Sequence, residues 1–121
     1  MKRTVIVGAT TNPERYAYLA AESLSSQHHE IIPLGIKKGV VFNKTILDIR
    51  KNPAISNVDT ITLYIGPRHQ PEWYDYLIGL KPQRIIFNPG TENQEFQKKA
   101  EKAGIETLEA CTLVMLRTGQ F

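Results

Sequence analysis

The chain has 121 residues, 41% hydrophobic and 22% charged, with a formal charge of +3 and a single cysteine. That length holds one core of useful size, so one domain over residues 1–121 is expected, and the composition is that of a soluble globular chain. The apolar runs are too short for a membrane span, no signal peptide is expected before the first strand, Cys111 alone makes neither an intrachain disulfide nor a cysteine zinc site, and no basic block with interleaved aromatics suggests nucleic acid.

Val5, Ile6 and Val7 form a β-branched run that ends at Gly8. Continuous Val and Ile is the pattern of a parallel strand covered on both faces. A loop of small and polar residues comes next, Ala9 to Pro13, and a helix is expected from Glu14 to about Gln27, with Tyr16, Leu19, Ala20 and Leu24 on one face. Strand, glycine turn and helix start together leave main-chain N–H groups and a helix dipole facing outward, a ready place for a phosphate. We expect a pyrophosphate there; a plain βα turn is the other reading. The window from Gly8 lacks two of the three glycines of the dinucleotide fingerprint, and no Gly-Lys-Ser/Thr comes after it. His28 and His29 close the helix and read as solvated residues favoured by its dipole rather than as metal ligands.

Glu30 to Leu34 reads as a second strand, with Pro33 near its end. Val40-Val41-Phe42 is expected to be a short third strand at the sheet edge, followed by a short helix over Thr45 to Arg50 that Asn52-Pro53 stops. Asp59 to Ile65 is the next strand, closed by Gly66-Pro67. Pro71 suits a first helical turn, and Trp73, Leu77 and Leu80 stripe the helix behind it. Arg84 to Phe87 is a buried strand ended by Asn88-Pro89-Gly90, and Thr91-x-x-Gln94 is a capping-box pattern. Phe96, Ala100 and Ala103 fall at helical spacing before Gly104, Ile105 to Glu109 is a last strand, and Leu113 and Leu116 mark a terminal helix. Strands alternating with helices predict an α/β fold: a three-layer, Rossmann-like, doubly wound parallel sheet of five or six strands, in the order 3-2-1-4-5-6. Ligands of such sheets bind beyond the carboxyl ends of the strands, where the order reverses.

The end of the second strand narrows the ligand. No acid stands between Pro33 and Gly39 to hold a ribose hydroxyl, but Lys37 and Lys38 do stand there. A cation at that point favours a phosphate on the ribose, which both NADP and coenzyme A carry. Arg15, in the first helical turn against the dipole, also suits an anionic partner.

GATTNPERYAY, TLYIGPRHQPEW, RIIFNPGTEN and EACTLVMLRTGQF resemble the small single-domain CoA-binding proteins. That family is related to the nucleotide-binding domain of the succinyl-CoA synthetase alpha subunit. The resemblance spans essentially the whole chain. It implies a bacterial, cytoplasmic, Rossmann-like protein that binds coenzyme A or an acyl-CoA. Gly8, Ala9, Thr10 and Arg15, with Tyr16 beside them, would hold the pyrophosphate. Pro33 and Lys37 would meet the ribose phosphate, Ile65, Gly66 and Pro67 the adenosine or pantetheine, and Asn88, Pro89 and Gly90 the far side. Many members carry Ser where this chain has Thr10, and the loop after Pro33 differs more.

The histidine that related synthetases phosphorylate lies in a second domain with no counterpart in this chain. His69, Glu72 and Glu109 are the candidate general bases, and Cys111 a candidate thiol. Each has a plainer reading: a loop histidine, an acid in a helix's first turn, a small buried hydrophobe. The expectation is therefore a small-molecule binding protein without evident catalysis of its own. Two alternatives stay open: an NADP-binding oxidoreductase-like domain, and the nucleotide-binding subunit of an acyl-CoA ligase completed by a partner chain. A homo-oligomer, or a sensor that docks on another protein, also stays open.

Overall fold

A computed structural model describes all residues, 1–121. Strand β1 (Thr4–Val7) is buried along its whole length. It lies between two parallel neighbours, β2 (Ile31–Gly35) and β6 (Thr60–Leu63), with Thr4 in register with Ile31 on one side and Thr60 on the other. The sheet continues outward to β5 (Leu47–Asp48) beyond β2, and to β7 (Arg84–Phe87) and β8 (Glu106–Glu109) beyond β6. All five pairings are parallel. In the sheet's own sequence order this is the expected 3-2-1-4-5-6, with six strands.

Successive side chains leave opposite faces of a strand, and the two cores result from that. Val5, Val7, Ile61, Leu63, Ile85 and Phe87 meet Tyr74 and Leu77 of α2 (Tyr74–Gly79) and Phe96 and Ala100 of α3 (Gln94–Lys102). Ile6 and Ile31 meet Ala17, Ala21 and Leu24 of α1 (Tyr16–Ser26) and Leu116 of α4 (Thr112–Arg117) on the other side. Thr60 and Thr62 face this second side, which explains the alternation in TITL. Each is hydrogen-bonded: Arg84 Nε donates to Thr60 Oγ1 at 2.8 Å, and the Thr62 and Thr112 hydroxyls lie 2.8 Å apart.

The region after β2 departs from expectation. Val40–Val41 (β3) does not join the main sheet; it pairs antiparallel with Lys44–Thr45 (β4) as a hairpin. Its two-residue turn, Phe42-Asn43, has φ of 48° and 68°, the double positive φ of a type I′ turn. Asn takes that conformation readily; Phe42 is packed against Tyr18, ring centroids 5.1 Å apart. The edge strand is Leu47–Asp48, on Leu34 and Gly35. The helix expected over Thr45 to Arg50 shrinks to a 3-10 turn, Ile49–Lys51. Asp48 caps it by accepting from Arg50 N, and Asn52 at φ 47° ends it, leaving no room for an α-turn.

Pro33 is the middle residue of β2, not its end. The carbonyl of Glu30 accepts from Thr4 of β1 and that of Leu34 from the two residues after β1, so residue 33 points its nitrogen the other way. There β5 reaches only as far as Leu34, and a missing N–H costs nothing. The Thr91 capping box is likewise corrected. Asn93 caps α3, its Oδ1 accepting from Phe96 N, while the Thr91 hydroxyl donates to Asn88 O. Helix α1 begins at Tyr16 rather than Glu14, because Asn12 turns the chain first, taking Glu14 N on its side chain and Arg15 N on its carbonyl.

Candidate functional site

Strand order reverses between β1 and β6, and a cleft of about 750 Å³ opens at their carboxyl ends. Its floor is backbone. Gly8 has φ +94°, and a Cβ there would stand 2.9 Å from Tyr64 O and 3.0 Å from Ile65 Cγ2. A Cβ on Gly35 would stand 3.3 Å from Ala9 N. The ends of β1, β2 and β6 thus close on one another only because two of them lack side chains there.

The N–H groups of Gly8 and Ala9 are already committed: both donate to Leu34 O, at 2.9 and 3.2 Å. The donors with no partner inside the chain come later, at Thr10, Thr11, Tyr16 and Ala17. Helix α1 has neither a side-chain cap nor an acid in its first turn. Its positive end is therefore uncompensated. Thr10 braces the loop by accepting from Asn12 N at 3.1 Å. Arg15 and Lys37 flank this end of the cleft, both exposed and neither in an ion pair.

The other end is built from the segments that leave β6 and β7. Tyr64, Ile65 and Gly66 line it, then His69, Glu72 and Trp73 on two consecutive 3-10 turns, Pro67–His69 and Pro71–Trp73, with Pro89, Gly90 and Thr91 opposite. Gln70, fully buried, holds the two sides together. Its Nε2 donates to Ile65 O at 3.0 Å and to Thr91 O at 2.9 Å, and its Oε1 accepts from Asn93 Nδ2. Burial pushes the Tyr64 phenol up to about 12, against the opposing pull of the Thr62 and Thr112 hydroxyls, so it stays protonated at neutral pH.

Of the residues singled out from sequence, Gly8, Ala9, Thr10, Arg15, Tyr16, Lys37, Ile65, Gly66, Pro89 and Gly90 stand on the cleft wall, and so do His69 and Glu72. Pro33, Pro67 and Asn88 do not. Pro33 is enclosed within the sheet and Pro67 is exposed outside the cleft. Asn88 is 2% exposed, with its amide bonded to Thr62 Oγ1 and Leu63 O and its Oδ1 accepting from Thr112 N. Glu109 and Cys111 lie off the wall. Tyr64, Thr91 and Ile36 are on it without having been singled out. Their position just past a strand end was the available signal. Gln70 carried none, because two of its three partners, Thr91 and Asn93, are more than twenty residues away in sequence.

No three His, Cys, Asp or Glu side chains come together as a metal site, and no helix is long and apolar enough to cross a membrane. A doubly wound parallel sheet with its crevice at the reversal point defines a Rossmann-like α/β protein. Residues 2–117 match the CoA binding domain family, and the chain belongs to it. No curated protein matches it. Among solved structures it is similar to one described as an uncharacterized protein, at 55% identity and a TM-score of 0.96, covering 100% of this chain and 98% of that one. It shares the fold of cell-free ID.343 from Thermus thermophilus (18% identity, TM-score 0.84, 99% and 90% covered). It also shares that of a hypothetical protein from Pyrococcus horikoshii OT3 (22%, 0.83, 97% and 82%).

Proposed function

We propose that the cleft binds coenzyme A or an acyl-CoA, and that the chain acts by binding rather than by chemistry of its own. The observation that carries this is the uncapped start of α1, with unused N–H groups between two unpaired cations in a cleft of about 750 Å³. The donor set suits a diphosphate: main-chain amides at a helix start, bare backbone at Gly8 and Gly35, and Arg15 beside them. Lys37 would take the ribose phosphate. The pantetheine arm would run toward Ile65, Gly66 and Trp73, a more apolar wall. Gly8 and Ala9 shape the floor without giving their N–H groups, which Leu34 O occupies.

Trp73 is the only tryptophan and stands on the wall, so its fluorescence reports occupancy. Titration with CoA, 3′-dephospho-CoA and NADP tests the reading. CoA should bind most tightly. Lys37→Ala should weaken CoA by about two- to fivefold, the range for one exposed charge pair, and dephospho-CoA by less. Binding of NADP without CoA would overturn the assignment in favour of an oxidoreductase-like domain. Equal weakening of CoA and dephospho-CoA would remove Lys37 from the phosphate.

A further inference from the structure

The cleft is electrically polar along its length. The only permanent cations on its wall, Arg15 and Lys37, stand at the α1 and β2 end; the only acid, Glu72, stands at the β6 and β7 end. Glu72 is exposed and has no ion-pair partner, so its charge is not cancelled. Its turn is held firmly. Pro71 opens it, Gln70 anchors it from the core, and Trp73 packs behind it against the larger apolar core. His69 and the Tyr64 phenol share this end of the wall with it, and Arg68 of the same turn as His69 stands off the wall.

We propose that Glu72 is a specificity residue that selects against acyl groups ending in a carboxylate, so that the thioesters the cleft accepts carry neutral acyl groups. The proposal rests on the CoA reading above. Phosphates have one favourable place in the cleft, beside α1 and the two cations. The thiol end of the ligand then lies at the opposite end, beside Glu72. A carboxylate there meets a like charge and no cation on the wall. For two exposed like charges about 6 Å apart, the penalty is about three- to tenfold in affinity at low ionic strength, shrinking as salt is added.

Calorimetry with CoA, butyryl-CoA and succinyl-CoA tests this, because the two acyl groups match in length and differ in the terminal charge. In the unaltered protein succinyl-CoA should bind about three- to tenfold more weakly than butyryl-CoA in low salt. Glu72→Gln should bring that ratio close to one, and Glu72→Lys should invert it; both changes fall on an exposed side chain with no ion-pair partner. Equal affinities in the unaltered protein, or a ratio that Glu72→Gln leaves in place, would overturn the Glu72 assignment while leaving the CoA reading intact. Failure of CoA itself to bind would overturn both.

Discussion

Replacing Asn88 with Ala should cost stability and not, in the first place, affinity. The side chain is 2% exposed and makes three hydrogen bonds, to Thr62 Oγ1 at 2.7 Å, Leu63 O at 2.9 Å and from Thr112 N at 2.8 Å. The last has particular weight. Thr112 is the first residue of α4, Cys111 gives that helix no side-chain cap, and Thr112 is fully buried. Asn88 thus caps α4 from across the sheet. Truncation removes three bonds, each with a net value of about 1 kcal/mol, the one to the buried Thr112 N–H at the upper end because water does not replace it; together these come to about 3–4 kcal/mol. For a chain this size the melting temperature should fall by about 10–15 °C. Urea unfolding without ligand, with the denaturant slope unchanged, measures it. A loss under about 1 kcal/mol, with CoA affinity sharply reduced instead, would refute the structural assignment and return Asn88 to the ligand.

Gly8→Ala should destabilise by about 2–4 kcal/mol, from the positive φ and from a Cβ 2.9 Å from Tyr64 O; a loss under about 1 kcal/mol in the same urea assay would count against the close approach of β1 and β6. His28→Gly should stabilise by up to about 1 kcal/mol, because His28 holds the left-handed position at φ 66° after α1, where glycine is unstrained; thermal melts showing no gain would speak against it. His29 accepts from Lys2 N at 2.9 Å, and burial first, then nearby positive charges including Lys2 and Arg84, lowers its pKa. The unfolded chain therefore takes up the proton first as pH falls. The His29 contribution is present above about pH 6.5 and is lost as pH drops from there through the lowered folded value. His29→Leu should flatten the melting temperature between about pH 7 and 5; an unchanged slope would exclude that linkage.

Short-range pattern carried much of the architecture. TVIV, TITL and RIIF announce themselves as strands, Gly104 ends α3 as expected, at φ +83° with Ile105 N bonded to Ala100 O, and alternation with helices implied the doubly wound order. The segment from Gly39 to Asn52 folds otherwise than its local pattern predicts, as a hairpin, a short edge strand and a 3-10 turn. The contacts that settle them are distant: Tyr18 under Phe42, and the free edge of β2 at Leu34 and Gly35 beside Leu47 and Asp48. The capping of α3 turned on distance too. Asn93 takes the capping position expected of Thr91, and its amide also donates to Gln70 and Tyr74.

By itself the sequence determined which residues stand at the ends of β1, β6 and β7, because strand pattern and turn chemistry are local, and a parallel sheet brings all its carboxyl ends to one edge. It also placed Arg15 and Lys37 near that edge. Only the tertiary structure decided which of those residues face the cleft and which face inward. Asn88 sits at a strand end like Pro89 and Gly90, yet three polar partners from β6 and α4 turn it into the core. Gly8 and Ala9 look like free donors, yet Leu34 O takes both N–H groups, and the N–H groups without a partner are those of Thr10, Thr11, Tyr16 and Ala17. Buried polar atoms must be paired, and the partners that satisfy them come together only when strands far apart in the chain lie side by side.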